Sequence, residues 1–127
     1  MAKPFYQRYD IPEGLADDAL SVLESVSSGE IPNAIRRGTN ETTKAIERGK
    51  ALLVLIALDV DPPEIVAHLP LLCEEKKIPF VFVPTKSSIG AACGLKITSA
   101  SCAIVEAGPA KKKLESVATK AKELAGI

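Results

Sequence analysis

The run ALLVLIAL, residues 51–58, decides the fold. It is continuously apolar, has the length of a β-strand and is rich in branched side chains. Because successive side chains of a strand point to opposite faces, a run without polar residues must be covered on both faces. The run therefore predicts a central strand in a sheet with helices on each side. It is too short to span a membrane, which needs about 20 apolar residues.

Strand patterns recur on both sides of this run. PFVFVP, residues 79–84, and CAIVEA, residues 102–107, predict two further strands, and IPNAIRR, residues 31–37, predicts a short extended piece or turn. Helical patterns lie between them, over 15–28 and over 110–125 among others. This alternation predicts an α/β fold, a three-layer α/β/α sandwich around a small mixed sheet, in a single domain over residues 1–127.

Two shorter helices are predicted beside the central strand. One begins near GTNE and ends at Gly49, and the small-residue segment SSIGAACG fits a second, or a turn. A longer helix is predicted after the strand, with Asp61 as N-cap, Pro62 at the first helical position and Glu64 completing a capping box. Pro70 is expected to kink that helix.

The composition indicates a cytoplasmic protein with an ordinary core. The chain has 127 residues and is 46% hydrophobic, so a core can form without disulfides or a metal. Cys73, Cys93 and Cys102 form no metal-ligand spacing, and buried reduced thiols are expected. The opening residues MAKPFYQRYD lack the apolar run of a signal peptide.

Charge is distributed unevenly along a chain whose net charge is zero. Six acids and no Lys or Arg lie between Tyr9 and Glu30, whereas five bases and two acids lie from Arg36 to Lys50. This asymmetry predicts one basic face, with a chance cluster on a solvated surface as the alternative.

An enzyme is the minority hypothesis. Asp59 and Asp61 follow the central strand, where α/β enzymes place metal-binding carboxylates, so a magnesium-dependent phosphoryl-transfer enzyme is one alternative. No phosphate-binding loop accompanies them, and His68, the only histidine, has no partner placed by sequence for a catalytic triad. We therefore expect no catalytic residue, metal or cofactor. A protein–protein adaptor is a further alternative.

The segment RRGTNETTKAIERGK, residues 36–50, favours RNA binding. A helix that begins at GTNE presents free backbone amides, which attract an anion such as phosphate. The alternative is that Asn40 serves only as an N-cap. Lys44 and Arg48 follow on the same stripe and can meet phosphates or base acceptors. Glu41 is repelled by phosphates, but it can accept hydrogen bonds from an open guanine edge. The competing interpretation is an exposed Glu41–Lys44 ion pair.

The sequence from Arg36 to Leu95 closely resembles the archaeal members of the L-seven-Ae family of ribosomal and kink-turn RNA-binding proteins. It is also similar to the related eukaryotic spliceosomal and nucleolar proteins. The resemblance covers nearly the whole chain and is densest from Gly38 to Gly94. It implies the same α/β/α sandwich, and it implies binding to kink-turns, which are RNA bends built on tandem sheared G·A pairs beside a bulge.

The resemblance implies a role for particular residues. Gly38, Asn40, Glu41 and Lys44 match the family's G-x-N-E-x-x-K signature, which reads the sheared guanines and nearby phosphates. The remaining matches are two flanking basic residues, a pocket for an extruded nucleotide and a loop over the bulge. These are, in that order, Arg37 and Arg48; Asp61, Ile65 and Lys86; and Leu95, Lys96 and Ile97 within GLKITSA, residues 94–100.

The resemblance also implies partners. These are ribosomal RNA, box C/D and H/ACA guide RNAs and ribonuclease P RNA, together with the proteins of the box C/D particle. Such a protein serves ribosome biogenesis and tRNA processing, has no membrane association and is expected to be monomeric when free. Two positions depart from the family pattern, because Leu58 stands where relatives usually carry Glu and Lys96 stands where many carry an acid.

Overall fold

A computed structural model describes residues 4–127 of the protein. Five helices and four strands make up this part of the chain. In chain order they are α1 (Leu15–Ser27), β1 (Ile35–Arg37), α2 (Thr39–Glu47), β2 (Leu53–Ala57), α3 (His68–Lys76), β3 (Phe80–Val83), α4 (Lys86–Ala92), β4 (Ser101–Ile104) and α5 (Lys111–Ala125). Short 3-10 turns at Pro63–Ile65 and Gly108–Ala110 precede α3 and α5.

The four strands form one mixed sheet in the order β1-β4-β2-β3. β4 is antiparallel to both β1 and β2, and β3 is parallel to β2. All five residues of β2 are buried, as the uninterrupted apolar run predicts for a central strand. Every residue of β3 and β4 is buried as well.

Helices cover the sheet in two groups. α1 packs against α4 and α5, and α2 packs against α3. Each helix contributes an apolar stripe, such as Leu114, Val117 and Ala121 of α5, whose spacing repeats once per helical turn. The predicted α/β/α sandwich around a small mixed sheet is therefore confirmed, and the extended piece at 31–37 supplies the fourth strand.

Two tyrosines fix the N-terminal segment to the sheet. The Tyr6 hydroxyl donates to the Ala57 carbonyl at 2.7 Å, and the Tyr9 hydroxyl donates to the Phe80 carbonyl. The ring of Tyr9 also contacts those of Phe80 and Phe82. Because Phe80 lies in the edge strand β3, these contacts cover backbone that would otherwise be open to pairing with another chain.

The predicted start of the helix after β2, at Asp61, was wrong. Pro62 has extended backbone angles and no side chain caps the 3-10 turn that follows it, so Asp61 caps no helix and Glu64 completes no capping box. The peptide bond between Asp61 and Pro62 is cis. The α-helix begins instead at His68. Pro70 was also wrongly expected to kink it, because it is the third residue of α3 and its missing N–H falls where a helix has no internal acceptor.

The cysteines and the helix lengths bear on two further expectations from the sequence. Cys73, Cys93 and Cys102 are buried and free of disulfides, as expected. Within residues 4–127, no helix combines the length and the hydropathy needed to cross a bilayer.

Candidate nucleic-acid interface

Strand direction brings most of the predicted site residues to one edge of the sheet, the edge at which β1, β2 and β3 end. Because β4 is antiparallel to its neighbours, its first residues lie beside the last residues of β1 and β2. Accordingly Arg37 pairs with Cys102, and Ile56 pairs with Ser101. β3 is parallel to β2 and ends at the same edge. The segments that follow β1, β2 and β3, and the loop that precedes β4, therefore converge there.

Gly38 sets the start of α2 at this edge. Its φ of 87° and ψ of 157° lie in a region that is open essentially to glycine alone. Its N–H donates to the Ser101 carbonyl at 3.1 Å, and its carbonyl accepts from the Thr42 N–H at 2.9 Å. Gly38 thus turns the chain from β1 into the helix while both of its backbone groups stay bonded.

The start of α2 presents backbone donors without acceptors. No side chain caps this helix, and Asn40 lies inside it rather than at its N-cap, so the N-cap interpretation of Asn40 was wrong. Among residues 4–127, the N–H groups of Thr39, Asn40 and Glu41 have no hydrogen-bond acceptor. Such a helix start, with the positive end of the helix dipole, favours an anion.

Asn40, Glu41 and Lys44 form an exposed polar stripe on α2. The Lys44 Nζ lies 3.4 Å from the Glu41 Oε1, so the ion pair considered from sequence is present. Both side chains remain more than half exposed, at 55% and 52%, so the pair contributes little stability and opens readily to a ligand. On the inner face of the same helix, Thr42, Ala45 and Ile46 are buried.

The ends of β2 and β3 are joined by a side-chain hydrogen bond. The Asp59 Oδ1 accepts from the Lys86 N–H at 2.7 Å, which satisfies one free amide at the start of α4. Thr85 caps the same helix by accepting from the Ser88 N–H. The Lys86 side chain is thereby held just beyond the end of β3, while Asp61 is exposed two residues after Asp59.

The loop over residues 94–100 is fastened to α4 by backbone contacts. The Leu95 N–H donates to the Gly90 carbonyl at 2.9 Å, and the Ser99 N–H donates to the Lys86 carbonyl at 3.2 Å. A Cβ atom on Gly90 would lie 2.1 Å from the Ile97 carbonyl oxygen, so the loop rests directly on this helix. Ile97, at the outer end of the loop, is 72% exposed.

Arg48 lies at the far end of α2 from this edge, and Ile65 lies just before α3. Ile65 ends the 3-10 turn before α3 and is 46% exposed. A hydrogen bond of 2.8 Å between Thr43 Oγ1 and His68 Nε2 ties the start of α3 to α2. Arg48 caps the opposite end of α2, roughly 15 Å from Gly38 at 1.5 Å per residue.

Arg37 is exposed at the end of β1 and lines a cleft with Cys93, which follows the last residue of α4. The pKa of the Cys93 thiol is lowered from 9.0 to about 7. The largest cause is a hydrogen bond from the Cys102 side chain, and the charge of Arg37 adds to it. Burial works in the opposite direction. This arrangement had no sequence signal, because only the fold places β1 beside β4.

Sequence reasoning missed the residues that hold the edge together. Ser101 is wholly buried, accepts from Gly38 through its carbonyl, and lies 3.2 Å through its Oγ from Thr39 Oγ1. The Thr42 hydroxyl donates to the Gly38 carbonyl at 2.7 Å. A polar residue at the first position of an apolar strand, as Ser101 is before CAIV, was the available signal for such a support.

The two aspartates considered for magnesium do not form a ligand cluster. Asp59 is engaged by the Lys86 backbone, and no group of three His, Cys, Asp or Glu side chains able to hold a metal occurs within residues 4–127.

Comparison with known proteins places this arrangement in a family. The sequence profile of the Ribosomal protein L7Ae/L30e/S12e/Gadd45 family matches residues 21–114. Among solved structures, a Giardia lamblia 15.5kD RNA binding protein is similar, with a TM-score of 0.85 and 35% sequence identity. The alignment covers 97% of this chain and 99% of that one. The chain therefore belongs to the Ribosomal protein L7Ae/L30e/S12e/Gadd45 family, as the sequence resemblance predicted.

Proposed function

We propose that the protein is a non-catalytic RNA-binding component of ribonucleoprotein particles, and that it recognises kink-turns. The observation that carries this proposal is the start of α2. There, three free backbone amides lie beside an exposed carboxylate, Glu41, and an exposed amine, Lys44. The similarity to a protein described as RNA binding supports the general class, and the signature at Gly38, Asn40, Glu41 and Lys44 supports the kink-turn as target.

Each group at the helix start has a distinct part in the proposed complex. The amides and Lys44 meet phosphate oxygens, which position the protein on the RNA. Asn40 and Glu41 meet base edges. A carboxylate accepts two hydrogen bonds from the N1–H and the amino group of a guanine, and a sheared G·A pair leaves that edge open. Recognition of the bend then depends on Glu41, because Watson–Crick pairing would occupy the guanine donors that it needs.

The loop over 94–100 and the ends of β2 and β3 extend this contact to the bulge. Ile97 and Ile65 are exposed apolar side chains on which an unstacked base can lie. Lys86 and Lys96 supply charge for the phosphates around it, and Asp61 is an exposed acceptor. A surface of this shape binds the kinked RNA more tightly than the extended RNA, so it raises the kinked population by the ratio of the two affinities.

The RNA targets that follow from the proposal are ribosomal RNA, box C/D and H/ACA guide RNAs and ribonuclease P RNA. In box C/D particles the bent RNA and the protein surface together receive further proteins. We also propose that the free protein is cytoplasmic and monomeric.

A gel-shift titration tests the proposal directly. One RNA carries a kink-turn, and the control RNA has its tandem G·A pairs converted to Watson–Crick pairs. We expect tight binding to the first and at least a hundredfold weaker binding to the second, at one fixed salt concentration because phosphate contacts depend on salt. Equal affinity for the two RNAs would refute kink-turn recognition while leaving general RNA binding open.

A matched pair of variants tests the assignment of Glu41. Glu41→Ala removes the proposed guanine acceptor, whereas Glu47→Ala removes an exposed carboxylate of equal charge from the other end of the same helix. We expect the first to lose most of the kink-turn affinity and the second to lose almost none. Because both change the net charge equally, a similar effect of the two would show that Glu41 reads no base.

A further inference from the structure

The two cysteines that flank the candidate loop are brought together by the fold. Cys93 follows the last residue of α4 and Cys102 is the second residue of β4, so the chain from 94 to 101 runs between them. Cys102 pairs with Arg37 across β1 and β4, which places these two side chains on the same face of the sheet. Arg37 and Cys93 in turn line one cleft, together with Gly94. The strand register therefore places Cys102 beside Arg37, and the shared cleft places Cys93 beside the same Arg37.

Access to the pair differs for the two sulfur atoms. Cys93 borders an open cleft of about 590 Å³ between the end of α1 and α4, and it is 4% exposed. Cys102 lies within strand β4 and is 0% exposed. Cys93 thus borders the cleft from which a small oxidant arrives, whereas Cys102 does not line that cleft.

We propose that Cys93 and Cys102 form a dithiol site for oxidation by peroxides, in which Cys93 is the attacking thiol and Cys102 the resolving thiol. Reactive cysteines lie in partly accessible, electropositive surroundings, and the resolving partner lies close by. Cys93 borders an open cleft beside Arg37, and Cys102 lies across the strands from the same Arg37, which meets these conditions. The free thiol of Cys73 in α3 provides a contrast within the same chain.

The protonation states agree with this division of roles. The hydrogen bond from Cys102 and the charge of Arg37 lower the pKa of Cys93 to about 7, so its thiolate is more populated at neutral pH than that of an ordinary cysteine. The pKa of Cys102 is raised, first because it donates that hydrogen bond and then because it is buried, so it stays protonated. The pKa of Cys73 is raised to about 12 by burial and by the nearby charge of Glu74, which leaves it inert.

The reaction balances with one peroxide per pair. The Cys93 thiolate attacks a peroxide oxygen, an S–O bond forms and the O–O bond breaks, and the departing alkoxide or hydroxide takes a proton. The sulfur is oxidised to a sulfenic acid and the peroxide is reduced. The Cys102 sulfur then attacks the Cys93 sulfur, the S–S bond forms and the S–O bond breaks. The departing hydroxide takes the Cys102 proton and leaves as water.

The disulfide would close the base of the loop that carries Leu95, Lys96 and Ile97. It would also remove the thiolate that Arg37 faces, and so free the guanidinium of an anionic neighbour. If the proposed RNA function holds, on which this consequence rests, oxidised and reduced protein bind kink-turn RNA with different affinities.

Alkylation and oxidation of the folded protein test the site without RNA. We expect iodoacetamide to modify Cys93 at least a hundredfold faster than Cys73 in the same sample, with a rate that rises through a midpoint near pH 7. Arg37→Met should move that midpoint upward. Stoichiometric hydrogen peroxide should give an intramolecular disulfide between Cys93 and Cys102, identified by peptide mass spectrometry. Equal alkylation of Cys93 and Cys73, or only intermolecular disulfides, would overturn the proposal.

A variant separates the two roles. In Cys102→Ser the oxidation should stop at the sulfenic acid of Cys93, which dimedone traps, and absence of that adduct in the folded variant would contradict the assignment of the attacking thiol. If this variant does not fold, the wild-type measurements decide. Kink-turn binding by reduced protein is measured separately, so its failure would refute the proposed function and leave the dithiol site standing.

Discussion

Replacing Gly38 with alanine tests the backbone that connects the sheet to α2, the helix proposed to contact RNA. The added Cβ has no atom within 4 Å, so it causes no clash. The cost arises from the backbone alone, since a φ of 87° with a ψ of 157° is strained for any residue with a side chain. Strain of this kind amounts to about 1–3 kcal/mol.

The strain must appear in one of two measurements. If Gly38→Ala keeps the native backbone, the free energy of unfolding falls by about 1–3 kcal/mol, which lowers the Tm by about 4 to 11 °C for a chain of this length. If the backbone relaxes, the hydrogen bonds from Gly38 to Ser101 and from Thr42 to Gly38 are lost or lengthened, and the start of α2 moves. Kink-turn affinity then falls, by tenfold for each ~1.4 kcal/mol.

Urea denaturation and gel-shift titration measure the two effects on one preparation. Gly14→Ala is the matched control, because Gly14 also precedes a helix with a positive φ, 86°, and also has no atom within 4 Å of an added Cβ. The control should lose roughly 1–2 kcal/mol of stability and no RNA affinity. Gly38→Ala with unchanged stability and unchanged affinity would refute the argument from backbone strain.

Three further predictions concern the loop, the helix and the core. Gly90→Ala should displace the loop over 94–100, because its Cβ would lie 2.1 Å from the Ile97 carbonyl oxygen. We expect lower stability in urea and weaker RNA binding, and unchanged values of both would contradict that close contact. Lys44→Ala should weaken binding and reduce the slope of log affinity against log salt by about 1, as gel shifts at several salt concentrations can measure, and an unchanged slope would remove Lys44 from the phosphate contacts. Burial, with the charge of Glu74, raises the pKa of Cys73 from 9.0 to about 12, so the folded state holds this proton more tightly than the unfolded state. The stabilisation that comes from this raised pKa is complete below about pH 9 and is lost as the pH rises toward about 12, by at most ~1.4 kcal/mol per pH unit. Urea melts across this pH range should show the decline in stability in wild type and less of it in Cys73→Ala.

The local sequence pattern predicted strands and helices correctly wherever one property, such as an apolar run or helical spacing, dominated a segment. The uninterrupted run at 51–58 required cover on both faces, and β2 is buried throughout. The helix over 110–125 followed from apolar spacing, and it is found at Lys111–Ala125. The pattern failed after β2, because Asp61, Pro62 and Glu64 resemble a helix start in sequence. The chain instead adopts extended backbone and a 3-10 turn there, and no local signal in DPPE distinguishes the two.

The sequence by itself determined the helix with the GTNE start, its free amides and its exposed stripe, because the spacing of polar and apolar residues along a helix is a local property. Only the tertiary structure decided that the loop over 94–100, Lys86 and Asp61 lie at the same edge as Gly38. That proximity depends on β4 running antiparallel to β1 and β2, a pairing between segments far apart in the chain. The same pairing placed Arg37 beside Cys102 and, through a shared cleft, beside Cys93. Physical contact between distant segments is set by strand order and direction, which no single stretch of sequence encodes.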